Sequence, residues 1–128
     1  MDFLVDLKTA TEQNLVLFTS ISPMMLKDNE SIAIRPTPSS NGTWRLDDGY
    51  TLNFGVQVLV KHQNPITAWQ EINKIHDLWN GAKKEDLGIS YMTIMEVNSG
   101  PNWVEKDDHN YHILTATYTA SLEMRRNG

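Results

Sequence analysis

The residues best equipped for chemistry lie around one turn, where Asp107, Asp108, His109 and His112 mix carboxylates with imidazoles. That donor set suits a hard or borderline metal ion. Its spacing argues against one, because His109 and His112 straddle a turn-to-strand boundary in opposite pleat phase and lack the helical ligand spacing that makes zinc motifs specific. His62 ends an expected strand and His76 lies on the inner side of an expected helix. Neither has a paired nucleophile nearby, so each reads as a core or edge histidine and not as a general base. Ser39, Ser40 and Ser99 sit in expected loops without the Gly-x-Ser-x-Gly elbow of a hydrolase. No glycine-rich loop opens a helix as a phosphate cradle does, and Asp47-Asp48-Gly49 lacks the later acids of a calcium loop. With no cysteine, thiolate metal sites and disulfides are excluded. The residues therefore give no catalytic, cofactor-binding or metal-binding set, and the chain reads as a non-enzyme without cofactors.

The elements that carry these residues follow from hydrophobic periodicity and turn chemistry. Residues 2 to 13 place Phe3, Leu4, Leu7 and Ala10 at near-helical spacing behind Asp2 as a possible cap, with Lys8 and Glu12 as an (i, i+4) pair. Leu15-Val16-Leu17-Phe18 reads as a buried short strand stopped by Ser22-Pro23. Met24-Met25-Leu26 is either a covered loop, the preferred reading, or an exposed apolar patch. Ser31 to Ile34 reads as a strand ending at Arg35-Pro36-Thr37-Pro38, and the prolines, serines, Asn41 and Gly42 mark a surface loop from Pro36 to Gly42. Asp47-Asp48-Gly49 between Thr43-Trp44-Arg45-Leu46 and the run from Tyr50 is a hairpin signal. The next strand is the clearest: Leu52, Phe54, Val56, Val58 and Val60 face one way and Thr51, Asn53, Gln57 and Lys61 the other.

A central helix then runs from the Asn64 cap and Pro65 to Gly81, with Ala68, Trp69, Ile72, Ile75, His76 and Trp79 toward the sheet. Ala82 to Gly88 reads as an exposed charged connection, Ser90 to Val97 as a strand, Asn98-Ser99-Gly100-Pro101 as a turn and Asn102 to Glu105 as a short strand. The last strand alternates Leu114, Ala116, Tyr118, Ala120 and Leu122 with Thr115, Thr117, Thr119, Ser121 and Glu123. Its threonine face suits either lateral contact with another chain or plain exposure to solvent. The expected fold is α+β: a mostly antiparallel or mixed sheet with a long central helix and an N-terminal helix packed on it. Phe54, Val56, Val58, Trp69, Ile72, Ile75, Trp79 and Tyr118 form the expected core.

Composition sets the outer bounds. A chain of 128 residues, 40% hydrophobic and 21% charged, fits one ordinary globular domain, here residues 1–128 with a mobile loop or hairpin at 36–50. No apolar run reaches the length of a membrane span, and the acid within Met1 to Asp6 is unlike a signal peptide, so a cytoplasmic origin is expected. The net charge of -5 and scattered bases exclude the electrostatic footprint of tight nucleic-acid binding. Arg125 and Arg126 receive no role. Trp44 and Trp103 fall in surface segments, where tryptophan is a favoured interface anchor, although each can also fold back over an end of the core.

Taken in order, Ser31-Ile-Ala-Ile-Arg-Pro-Thr-Pro38, the Asp47-Asp48-Gly49 turn, Phe54 to Lys61, the helix from Asn64 to Trp79, and Gly100-Pro-Asn-Trp-Val104 with Asp108 and Tyr111 resemble the minor capsid proteins of tailed bacteriophages from Gram-positive hosts. That group is similar to tail terminator, or head-tail joining, proteins. The resemblance covers roughly residues 30 to 123 and implies a structural virion protein, a ring of six copies that caps the tail tube and joins tail to head. Its implied partners are further copies of itself, the tail tube protein and a head-side connector protein, with DNA passing through unheld and no membrane involved. The N-terminal region matches less well, and Ser22-Pro23 lacks the glycine expected ahead of that proline. For such a ring the candidate interface residues are Arg35, Trp44, Arg45, Asp47, Asp48, Trp103, Thr115, Thr117 and Thr119. The alternatives are a neighbouring head-tail connector or stopper and, from another class, a small-molecule-binding α+β module using His62, His76 and Tyr118.

Overall fold

A computed structural model describes residues 3–37, 43–44 and 49–125 of the chain. The possible cap Asp2, the loop serines Ser39 and Ser40, the turn residues Arg45, Asp47 and Asp48, and Arg126 lie outside the described residues, as does the Trp44 side chain. The elements run α1 (Phe3–Asn14), β1 (Ile21–Pro23), β2 (Ser31–Thr37), β3 (Thr43–Trp44), β4 (Gly49–His62), α2 (Pro65–Trp79), α3 (Lys84–Leu87), β5 (Met92–Lys106) and β6 (His112–Arg125). The fold is α+β with a mixed sheet in the order β1-β2-β4-β6-β5, and β3 pairs with β4 beside that path. Only the β1–β2 pair is parallel; the other pairs are antiparallel.

Local chemistry explains the best-defined pieces. Asn64 Oδ1 accepts from the backbone N–H groups of Ile66 (2.9 Å) and Thr67 (3.3 Å), and Pro65 starts α2 where its missing N–H costs nothing. Beyond the far end, Gly81 takes φ +73°, which a residue without Cβ adopts freely. The expected long central helix is not found: α2 has 15 residues, about 22 Å at 1.5 Å per residue. Helix α1 buries Phe3, Leu4, Leu7, Ala10 and Thr11 on one stripe. Thr11 Oγ1 donates to the Leu7 carbonyl at 2.7 Å and accepts from Trp79 Nε1 at 2.9 Å, a buried bond that ties α1 to the end of α2.

Four expectations about connections are corrected. Leu15 to Phe18 is loop, and the first strand is Ile21–Pro23, which contains the proline expected to stop it. At the sheet margin proline forfeits no interior ladder bond, so it is tolerated there. Strand β2 likewise runs through Arg35-Pro36, with Pro36 opposite Val56, and continues to Thr37. The connection from Ala82 to Gly88 contains α3 and buries Ala82 and Leu87. Finally, the expected hairpin around Asn98 to Pro101 is one continuous strand, β5, whose register shifts beside β6 absorb Gly100 and Pro101.

Helices α1 and α2 lie on the same side of the sheet and share one core. The core between them contains Ile32 and Ile34 from β2, Val56, Val58 and Val60 from β4, Leu114, Ala116, Tyr118, Ala120 and Leu122 from β6, and Ile72, Ile75 and Trp79 from α2. Phe54 packs at its margin, partly buried, in edge-to-face contact with Phe3 at 5.2 Å. Trp69, assigned to the core by helical spacing, is instead 49% exposed.

Candidate functional site

His62, His76, His112 and Asp107, four of the residues singled out for chemistry, are occupied in holding the fold, while Asp108 and His109 are exposed. His76 Nδ1 meets the Tyr118 hydroxyl at 2.6 Å beneath α2, and burial pushes the Tyr118 phenol well above its ordinary pKa, with Asp77 adding to the shift. The phenol therefore stays neutral in that bond. His62 Nε2 lies 3.1 Å from a Glu30 carboxylate oxygen, its Nδ1 accepts from the Asn64 N–H at 2.9 Å, and its ring packs edge-on against Phe18. His62, His76 and Tyr118 are therefore not gathered into one site: His62 belongs to the end of β4, the other two to the core.

The Asp107 turn is built the same way. Asp107 Oδ1 accepts from the N–H groups of His109 (3.0 Å) and Tyr111 (2.9 Å), closing the bend that Asn110 enters with φ +67°. The Tyr111 N–H bond, with help from the His109 N–H and Lys61, holds the Asp107 carboxyl below the usual aspartate range against its own desolvation. Lys61 is 9% exposed, and its ammonium donates to the carbonyls of Lys27 and Asp28, both at 3.1 Å, with Asp107 Oδ2 at 3.5 Å and the Tyr111 ring 5.0 Å away. Its charge is compensated by structure, so it is a clamp between the β1–β2 connection and the β5–β6 turn. His112 leaves this turn: its Nδ1 accepts from Trp103 Nε1 at 3.1 Å. Among the described residues no group of three or more His, Asp or Glu is placed to hold a metal ion.

What the structure does assemble is surface. The sheet face away from the helices is open and polar. Across it Arg35 Nε donates to Gln57 Oε1 (2.7 Å), Gln57 Nε2 donates to Thr115 Oγ1 (2.9 Å), and Thr115 Oγ1 donates to the Val58 carbonyl (3.1 Å). This row joins β2, β4 and β6 through side chains. Thr117 and Thr119 continue the face along β6, half-buried between neighbouring strands, and Asn98 Nδ2 of β5 donates to Thr119 Oγ1 at 2.6 Å. Thus Arg35, Thr115, Thr117 and Thr119 share one face. Trp103 does not: it pairs opposite the core residue Leu114 and so projects on the helix side.

Sequence reasoning missed the apolar surface. Met24, Met25, Ile66 and Trp69 are exposed, against the preferred covered loop for the first two and the core assignment of the last. A signal for Trp69 existed: Ile66, three residues earlier, sits in the first turn of the same helix, where the chain has only just left the sheet.

The sequence model of one protein family, described as "Bacteriophage tail terminator protein", matches residues 11–124 of the chain. No curated protein matches it.

Proposed function

The chain belongs to the bacteriophage tail terminator family, a structural component of the phage tail, and from that premise we propose that it is the ring which caps a finished tail tube and joins the tail to the head. The family match, from the last turn of α1 to the end of β6, carries this reading. The surface is in keeping with it: Arg35, Gln57 and Thr115 are bonded to one another across the open sheet face, while His62, His76, His112 and Asp107 are spent on structure. On this proposal six copies close a ring, Arg35, Thr115, Thr117 and Thr119 line contacts on that face, and Trp44, Arg45, Asp47, Asp48 and Trp103 add contacts to neighbours. The tail tube protein binds one side and a head-side connector protein the other. On the same reading the phage infects a Gram-positive bacterium, and this chain is one of the minor capsid proteins of the phage. No reaction is assigned to it. The net charge of -5 fits a lumen that is neutral to negative, past which DNA slides unheld.

The deciding experiment is electron microscopy of particles from a phage whose copy of this reading frame carries an early stop codon. Overlong, unattached tails beside DNA-filled heads are the expected result. Normal tails with leaking heads would transfer the protein to a head-side connector or stopper role, and intact infectious particles would remove it from virion assembly.

A further inference from the structure

Among the described residues, most of the exposed large apolar side chains fall at the two margins of the sheet, with Val5 and Ile66 on the helices. At the β1 margin, Val16 (89% exposed) precedes the strand and Met24 and Met25 (73% exposed) follow it. At the β5 margin, Trp103 (56% exposed) and Val97 stand on the strand, and Trp69 stands on the neighbouring flank of α2.

The second cluster can be placed from register and helical phase. Val97 pairs with Tyr118 and Trp103 with Leu114, both core residues, so all four side chains leave the sheet on the side of α2. Trp69 is seven residues before His76, two turns along one flank of the helix, and His76 reaches β6 through Tyr118. The opposite flank carries Lys74, whose ammonium donates to the Val16 carbonyl at 3.2 Å and so belongs to the β1 side. Trp69, Val97 and Trp103 therefore stand exposed on the same side of the sheet, where α2 borders β5. The Trp103 N–H is already held by His112, which fixes the indole and leaves its face to be covered.

At the other margin Met24 adopts φ +77°, a left-handed backbone that glycine or asparagine takes more easily, while its N–H donates to the Ile34 carbonyl at 2.7 Å. Strain of this kind at an exposed position indicates a side chain retained for what it touches. Methionine is flexible, and its sulfur packs well against aromatic rings. The two margins are thus chemically matched, and the strand order sets them at opposite ends of one sheet.

We propose that copies of this chain dock head to tail, Met24 and Met25 at the β1 margin of one seating against the exposed Trp69, Val97 and Trp103 at the β5 margin of the next. A patch meant for a foreign partner needs no complement on its own molecule; here the complement is present and lies on the opposite edge, the arrangement that closes a ring by a heterologous contact. The inference rests on the ring reading above and names the surfaces that make it.

Because the chain has no cysteine, introduced thiols report alone. Purified Met25→Cys and Trp103→Cys chains are mixed and oxidised, each is also oxidised by itself, and the native mass of the unmodified chain is measured in parallel. Disulfide-linked dimers in the mixture at about tenfold or more the yield of either chain alone are expected, beside a multimeric wild type. Trp103→Asp should raise the concentration for half-assembly by about tenfold or more without moving the melting temperature of the subunit. A multimer with no mixed cross-link, or with its assembly untouched by Trp103→Asp, overturns this docking and leaves the ring. A monomer at all concentrations with no cross-link overturns both.

Discussion

The helix-side face of the sheet is core all along β6, but on β5 it passes from core at Met92 and Met95 to surface at Val97 and Trp103. Tyr118 and Leu114 are fully buried under α2, yet their cross-strand partners Val97 and Trp103, one strand spacing away, meet solvent. The difference is one of coverage. A helix about 10–12 Å across roofs about two strands spaced roughly 4.8 Å apart. Helix α2 lies against β4, β6 and the part of β5 that holds the buried Met92 and Met95, α1 serves the β1–β2 side, and Val97 and Trp103 further along β5 are left exposed. In an isolated domain such a margin is a liability, because an edge strand with exposed aromatic residues invites pairing. Proline 101 and the register shifts of β5 blunt backbone pairing along that edge but leave the side chains available. Coverage therefore separates what folds this chain from what it offers to others.

The largest test of that separation is Ile72→Ala. Ile72 is fully buried on the face of α2 that meets the sheet, and truncation leaves a cavity between rigid layers. A loss of about 2–5 kcal/mol is expected in chemical denaturation, with the folded fraction otherwise unchanged in assembly. A loss below about 1 kcal/mol would mean that α2 is not the roof of a packed core, and the contrast with β5 would fail.

That contrast also decides what could be read from the sequence. Helix α2 was legible because Asn64, Pro65 and Gly81 specify its ends through local chemistry, and β6 because its strict alternation needs one buried and one open face. The first strand and β5 were not legible for one shared reason. Ser22-Pro23 and Gly100-Pro101 are stop signals inside a sheet, but at a margin the unpaired side of the strand tolerates a missing N–H. Nothing local announces that a strand will be an edge. Trp69 was misplaced by the same limit: helical spacing shows which residues share a flank, and only the neighbouring strands determine whether that flank is covered. Among the candidate site residues, the Arg35 and threonine face follows from strand phase, whereas Met24 and Met25 depend on a backbone conformation that residue types do not show.

A smaller effect is expected at the β5–β6 turn, which fixes how the unroofed margin leaves the core. Asp107 has its folded pKa lowered, chiefly by the Tyr111 N–H bond, so its contribution to stability is complete above the ordinary aspartate value near about 3.9 and is lost as pH falls through the lowered folded value. Asp107→Asn should therefore narrow the difference in melting temperature between neutral pH and pH about 3, relative to the unmodified chain. An unchanged difference would show that the turn is held by its backbone alone, and that the margin does not depend on the clamp with Lys61.

The smallest effect should come from Thr117→Ala on the open face. Thr117 lies between Gln57 of β4 and Ser99 of β5 and makes no side-chain hydrogen bond, unlike Thr115 in the row above it. Removing its hydroxyl and methyl deprives the strand of some pleated-surface packing but leaves no buried group unpaired, so stability of the isolated subunit should change by no more than about 0.5 kcal/mol. The measurement is paired: denaturation of the subunit against the concentration at which it assembles. Threonine at this position has little to do for a lone chain, so a change confined to assembly would assign the face to a neighbouring copy. A stability loss above about 1 kcal/mol would instead make this face a second packed layer, with side chains supporting one another from below the sheet. The division between a roofed core and an available surface would then have to be redrawn around both faces.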